Sequence, residues 1–164
     1  MSIFHPTIAP GEVPSDALQA LGGPRTAYTP TINAASGGLD LGSGGSETGE
    51  WWQAGAEIRF HFDISFAGSG VAPGTGIYSI LLPPAEPALP LPNNHFGQVI
   101  LFDASATSWH GAVAQPDPGD ITKMRLIFIG GGFGASGLVD NDSPVTWAAN
   151  DWFSSTVLSY PFAE

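Results

Sequence analysis

The stretch that decides the fold is Glu57-Ile58-Arg59-Phe60-His61-Phe62-Asp63-Ile64-Ser65-Phe66. Five large apolar residues alternate with five polar ones, which is the two-residue period of a strand with one buried and one solvated face. A register slip of one residue would expose all five apolar side chains, at about 1.5–3 kcal/mol each. The stretch therefore predicts a strand of firmly fixed register in an antiparallel sheet.

Seven further segments are predicted to be strands, because they are short, contain β-branched and aromatic residues, and are bounded by Gly-rich or Pro-rich turns. They are residues 28–33, 48–53, 76–82, 97–105, 109–114, 122–129 and 152–162. No amphipathic helix separates them. The sequence therefore predicts one all-β domain over residues 27–164, an antiparallel, jelly-roll-like β-sandwich rather than a βαβ fold.

The composition excludes several classes of protein. The chain has 22 Gly and 15 Pro among 164 residues. Their combined share is nearly twice the average of about 12%, and because both residues disfavour helices, this argues against a helical bundle. Four Lys and Arg against 15 Asp and Glu give a net charge of −11, so nucleic-acid binding is not expected. The absence of cysteine excludes disulfides and thiolate sites. Neither a signal peptide nor a membrane span is predicted.

Residues 1–26 differ from the rest of the chain and are predicted to form an N-terminal arm. Only residues 15–22 have a helical pattern, with Ser15 as the N-cap and Gly22 as the stop. Two turns of helix are not stable alone, so the arm is either a frayed tail or a segment that orders by docking on a partner. The apolar residues that would anchor it are Ile3, Phe4, Leu18 and Leu21.

Two loops contain candidate interface residues. Residues 83–92 include five prolines and are predicted to be extended and polyproline-like. Their Leu89 and Leu91 either lie on the domain's own surface or dock a neighbouring subunit. Residues 130–137 are Gly-rich, and Phe133 within them would be exposed unless a partner covers it.

No motif for catalysis, cofactor binding or metal binding is recognised. The Gly-rich runs lack the Lys-Ser/Thr ending of a phosphate loop. His61 and Asp63 have the spacing of a metal-ligand or general-base pair, but the solvated face of a strand has the same appearance. Residues 140–143 resemble a calcium corner, and Asx turns give the same pattern. The sequence thus predicts no catalytic residue, no metal site and no cofactor.

The five tryptophans are numerous enough for a sugar-stacking surface. In a β domain of this size most of them are expected in the core or at its rim. Trp52 and Trp109 are the candidate ligand residues.

Several segments occur in a characteristic order. They are Ala27-Tyr28-Thr29-Pro30-Thr31, Thr48-Gly49-Glu50-Trp51-Trp52-Gln53-Ala54-Gly55, Gly76-Ile77-Tyr78-Ser79-Ile80-Leu81-Leu82-Pro83, and Thr146-Trp147-Ala148-Ala149-Asn150-Asp151-Trp152. Over residues 27–164 this order resembles a β domain that recurs in tailed-phage virion proteins, chiefly those of actinobacterial phages. Trp51 stands where that family usually has Tyr, which keeps an aromatic plug. Asn150 stands where Gly is usual, and Asn tolerates the positive φ that the turn requires.

The resemblance implies a non-enzymatic virion structural protein on the virion surface, without catalytic residues to transfer. It implies a homo-oligomer, with a trimer favoured, whose residues 1–26 attach to other virion proteins. Two roles remain open: a minor tail or tail-tip protein whose β domain binds a host surface such as a cell-surface glycan, and a head decoration protein that stabilises the capsid.

A third alternative is a glycan-degrading enzyme, which needs two carboxylates about 5–9.5 Å apart. Glu57 and Asp63 cannot be that pair. They lie six residues apart on one predicted strand, roughly 20 Å at about 3.3 Å per residue.

Overall fold

The computed structural model describes residues 23–84, 95–129, 136–142 and 144–161. These ranges contain strands but no helix, and therefore none that could cross a bilayer. The helix predicted over residues 15–22 lies outside them. The strands are β1 (Thr26–Tyr28), β2 (Ile32–Ser36), β3 (Ser46–Ala54), β4 (Glu57–Ser65), β5 (Thr75–Leu81), β6 (Gly97–Asp103), β7 (Ser108–Asp117), β8 (Asp120–Ile129), β9 (Ser136–Leu138), β10 (Trp152–Ser155) and β11 (Leu158–Pro161).

All these strands belong to one antiparallel sheet that curls into a half-barrel. Its order is β1-β3-β4-β10-β6-β7-β8-β5-β2, with β11 also on β4 and β9 on β8. β1 and β2 stand at opposite ends of this order, yet only residues 29–31 separate them, so the two edges approach within about 15 Å. Glu47 of β3 links the edges, because its Oε1 accepts a hydrogen bond from the Ile32 N–H at 2.7 Å.

The predicted all-β, antiparallel class is confirmed. The finer prediction of a sandwich with two packed sheets is not confirmed, because the strands form one continuous curled sheet.

Strand β4 provides the centre of the core, as its alternation predicts. Ile58, Phe60, Phe62 and Ile64 are buried, whereas the residues between them face outwards. Side chains from both halves of the curled sheet fill the core. Tyr78 of β5 lies edge-on to Phe153 of β10, with ring centroids 6.4 Å apart, although β5 and β10 are four places apart in the sheet order.

The single strand predicted over residues 28–33 is wrong, because the chain forms β1 and β2 there instead. Pro30 between them has no N–H to donate to a ladder. The Thr31 N–H bonds back to the Thr29 carbonyl at 2.9 Å, and the Thr31 carbonyl accepts from the Leu81 N–H. The chain therefore crosses from one edge of the sheet to the other at this proline.

The single strand predicted over residues 152–162 is also wrong, because β10 and β11 are separated by residues 156–157. Both strands pair with β4. At the break the Phe62 N–H donates to the side-chain oxygen of Ser155 at 2.8 Å. A serine hydroxyl thus replaces a ladder carbonyl and keeps the buried amide satisfied.

The remaining predicted strands overlap β3 to β8, and β9 was not predicted. Two positions discussed with the resemblance have the expected local structure. Asn150 adopts a φ of 68°, and Trp51 packs against the core on the face that carries Phe60.

Arg125 and Asp117 join β7 and β8 through two parallel hydrogen bonds, Nε to Oδ2 at 2.9 Å and Nη2 to Oδ1 at 2.7 Å. Hydrogen bonding from Arg125 lowers the pKa of Asp117. The contribution of this ion pair to the free energy of unfolding is therefore present above the ordinary carboxyl pKa of 3.8. It is lost as the pH falls through the lowered pKa of Asp117.

We expect the substitution Arg125→Gln to lower the free energy of unfolding by about 1–2 kcal/mol at about pH 7, and by less at about pH 3. Urea unfolding at the two pH values measures this difference. Arg59→Gln is the matched control, because the pair that Arg59 forms with Glu57 is solvent-exposed and 3.5 Å long, and its loss should cost less than about 0.5 kcal/mol. An equal loss for Arg125→Gln at both pH values would contradict the charge-based explanation.

Candidate ligand-binding surface

Five outward-facing side chains form one row across five adjacent strands. Ser46 of β3 lies opposite Ser65 of β4, Ser65 opposite Trp152 of β10, Trp152 opposite Phe102 of β6, and Phe102 opposite Trp109 of β7. At about 4.8 Å per strand the row is about 19 Å long. We call these five residues the cross-strand row.

The aromatic half of the cross-strand row consists of Trp152, Phe102 and Trp109. Phe102 stacks on Trp152 with ring centroids 5.4 Å apart and lies 4.7 Å from Trp109, and the two tryptophans meet edge-to-face at 5.2 Å. Such ring pairs stabilise their geometry by about 0.5–1.5 kcal/mol each. Trp109 is nevertheless 62% exposed. The three rings therefore form an ordered aromatic surface that faces solvent.

The polar half of the row borders an open depression of about 310 Å³, with Trp152 as one wall. Ser46 and Ser65 share a hydrogen bond of 2.8 Å between their hydroxyls. Two register positions along, on the same outer face, Ser154 lies opposite Asp63 and donates to its Oδ1 at 2.5 Å. Three hydroxyls and a carboxylate therefore line the same depression as the Trp152 ring.

A second row continues the apolar surface next to the aromatic half. Ile100, Gly111 and Ile129 lie opposite one another on β6, β7 and β8, and both isoleucines are substantially exposed. A Cβ added to Gly111 would meet only the Ile129 carbonyl oxygen, at 3.9 Å. Glycine at this position leaves a shallow gap beside Trp109.

Trp52 lies in a different part of the outer face. It is six residues from Ser46 along β3, about 20 Å away. The Arg25 guanidinium carbon is 4.9 Å from the Trp52 ring centroid, and Arg25 also pairs with Glu50 at 3.2 Å. Glu50 accepts a second hydrogen bond, from His61. The hydrogen bond from Arg25, and to a lesser extent that from His61, lowers the pKa of Glu50. The polar groups around Trp52 thus satisfy one another.

The predicted candidate residues separate into three groups. Trp109 lies at one end of the cross-strand row, and Trp52 lies outside it. The other seven candidates are outside the described residues: Phe133, Leu89, Leu91, Ile3, Phe4, Leu18 and Leu21. His61 and Asp63 are on the outer face of β4, bonded to Glu50 and Ser154 respectively. Within the described ranges, no group of three or more His, Asp or Glu side chains is placed to hold a metal ion.

Sequence reasoning missed Phe102, Trp152, Ser154 and the two serines of the row. Each has the outward phase of its own strand, which is a signal that alternation gives. The missing information was that β10 lies between β4 and β6, which brings the serines next to the aromatic rings.

Comparisons with protein-family models, curated proteins and solved structures found no match to this chain.

Proposed function

We propose that this chain is a non-enzymatic structural protein of a tailed-phage virion, a minor tail or tail-tip component that binds another surface through the cross-strand row. The observation that carries the proposal is the outward-facing aromatic cluster of Phe102, Trp109 and Trp152, in which Trp109 is exposed and the other two rings are half-buried. Contiguous exposed apolar surface is uncommon on monomers and marks interaction sites. Tryptophan in particular dominates binding energies at such sites. The virion setting comes from the resemblance over residues 27–164.

The contact between two of the resembling segments gives a physical reason for one glycine in them. Tyr28, from the opening segment, lies opposite Gly49 of the second segment and covers it. A Cβ on Gly49 would lie 2.5 Å from Cε1 of Tyr28. Glycine at position 49 therefore leaves the room that the Tyr28 ring occupies.

The finer features of the proposal are a sandwich-like packing and a homotrimer. The contact between Tyr78 and Phe153 across the core supports the interpretation that the two halves of the curled sheet form the two layers of a jelly-roll sandwich. The homotrimer would be displayed on the virion surface, and the arm of residues 1–26 would attach it to other virion proteins.

The test of the virion role is to locate the protein on purified particles of the phage that encodes it, by immunogold labelling and quantitative mass spectrometry. We expect label at the tail tip. Label over the head, at a copy number close to that of the major capsid protein, would replace this role with that of a decoration protein. Absence from the particles would overturn both.

The role of the arm is tested by deleting residues 1–22. This deletion spares the sheet, because β1 begins at Thr26 and the Gly23 N–H already bonds to the Gln53 carbonyl at 3.0 Å. We expect the β domain to fold and to oligomerise as before, but not to be incorporated into particles. Circular dichroism, analytical ultracentrifugation and particle composition measure the three properties. Loss of folding would show that the arm belongs to the core.

A further inference from the structure

We infer that the cross-strand row binds a neutral oligosaccharide, with sugar rings on its aromatic half and sugar hydroxyls at its polar half. The inference rests on the binding role proposed for the row and names the chemical class of its ligand.

The juxtaposition of the two halves carries the inference. A sugar ring has C–H groups on its faces and hydroxyls around its edge. The C–H groups are attracted to the negative face of an aromatic ring, and Trp152 and Trp109 offer such rings. Since the row is about 19 Å long, it can take several linked sugar rings rather than one.

The polar half suits hydroxyl groups in particular. Ser154 donates its hydroxyl proton to Asp63, and one of Ser46 and Ser65 donates to the other. One serine proton and the oxygen lone pairs of all three hydroxyls therefore remain for sugar hydroxyls, which both donate and accept. Of the two oxygens of Asp63, only Oδ1 accepts a hydrogen bond from the described part of the chain, so Oδ2 can accept from a ligand. A hydrogen bond to a carboxylate is shorter and stronger than one between neutral groups. The 310 Å³ depression is at the lower end of the range of ligand pockets.

The charge distribution selects a neutral ligand. The row contains no cationic side chain, and Asp63 lies beside it. All four Lys and Arg residues of the chain are paired with carboxylates: Arg25 with Glu50, Arg59 with Glu57, Lys123 with Asp120 and Arg125 with Asp117. A sulfated, sialylated or phosphorylated glycan would therefore meet a protein of net charge −11 whose Lys and Arg side chains are already paired with carboxylates.

The position of the row in the sheet argues against a peptide strand as the ligand. Peptides that add to a sheet pair with the free backbone of an edge strand. The central strands of the row, β4, β10, β6 and β7, have a neighbour on each side. Recognition at this face therefore depends on side chains.

The experiment is binding of the full chain to an array of neutral hexose and N-acetylhexosamine oligosaccharides that also carries sulfated and sialylated members. Calorimetry with the strongest neutral binder follows. We expect binding to a neutral oligosaccharide and none to the anionic ones. Trp109→Ala and Asp63→Ala should each weaken binding by about tenfold, corresponding to about 1.4 kcal/mol.

Trp52→Ala is the matched control, because Trp52 is on the same outer face but about 20 Å from Ser46 along β3. We expect it to change the affinity by less than about twofold. Circular dichroism checks that each variant is folded. The inference is overturned if no neutral oligosaccharide binds, if anionic glycans bind better, or if Trp52→Ala weakens binding as much as Trp109→Ala.

The inference and the proposed function can fail separately. If the array shows no binding but Trp109→Ala abolishes self-association, the row is a protein interface and only the glycan inference fails. If the chain binds a neutral glycan but is absent from phage particles, the virion role fails and the glycan inference remains.

Discussion

Replacing Trp147 by alanine is expected to lower the free energy of unfolding by about 3–5 kcal/mol. Trp147 is 1% exposed, stacks on Phe66 with an interplanar angle of 12°, and meets Phe153 edge-to-face with ring centroids 4.4 Å apart. Its Nε1–H donates to the Asp140 carbonyl at 2.7 Å. The substitution would leave a large cavity and also an unpaired carbonyl. The total stability of a domain is only about 5–15 kcal/mol, so the loss is a large share of it.

Urea unfolding followed by far-UV circular dichroism measures this loss. Trp147→Phe keeps the measurement possible if the alanine variant does not fold, and it should cost less because an aromatic ring still fills most of the site. Trp109→Ala is the control of the same residue type, and we expect a smaller loss of about 1–2 kcal/mol, because Trp109 is largely exposed and contacts two rings at the surface. Similar losses for Trp147→Ala and Trp109→Ala would contradict the burial argument.

The sequence predicts the local part of this fold well. The alternation through β4 predicts which side chains are buried, because the phase of a strand depends only on neighbouring residues. The resemblance, rather than the alternation, implies the positive φ of Asn150, which is a property of one turn. The sequence does not predict that Pro30 ends one strand and begins a crossing to the opposite edge. That break depends on where β1 and β2 find their partners, β3 and β5, elsewhere in the chain.

The candidate site was predictable only in part, for the same reason. Trp109 lies on the outward phase of β7, so alternation identifies it as exposed. Its neighbours Phe102 and Trp152 come from strands whose order in the sheet does not follow the chain, since β10 inserts between β4 and β6. Trp52 has the same outward phase but lies in another register position. Phase alone therefore cannot distinguish Trp109, which is in the row, from Trp52, which is outside it.

Replacing Asp151 by alanine is expected to lower the free energy of unfolding by about 2–4 kcal/mol, because it leaves two partly buried backbone donors unpaired. Asp151 is fully buried. Its Oδ1 accepts from the Ala104 N–H at 2.8 Å and its Oδ2 from the Ala148 N–H at 2.7 Å. Its own carbonyl accepts from the Phe66 N–H at 2.9 Å. Asp151 thus ties the loop after β6 and the closing turn to the end of β4.

Two further variants separate this role from a general effect of removing an aspartate. Asp151→Asn keeps the shape but places an amide N–H₂ against one of the two backbone donors, so we expect an intermediate loss. Asp40→Ala removes a carboxylate whose Oδ1 also accepts a backbone N–H, that of Gly42 at 2.8 Å, but at an exposed turn. This control should cost no more than about 1 kcal/mol. A loss for Asp151→Ala no larger than that for Asp40→Ala would contradict the proposed tie between the three segments.

The pH dependence of the Asp151→Ala effect should be opposite to that of Arg125→Gln. Burial raises the pKa of Asp151, and the nearby Asp103 adds to the shift, although the two backbone donors oppose it. The folded state therefore favours the protonated carboxyl, so this contribution to stability is full below the ordinary pKa of 3.8 and is lost as the pH rises through the raised value. In urea unfolding, the loss caused by Asp151→Ala should grow between about pH 7 and about pH 3, while that caused by Arg125→Gln shrinks. If both losses shrink together on acidification, the hydrogen bonds to Ala104 and Ala148 outweigh burial, and Asp151 is a stabilising anion like Asp117.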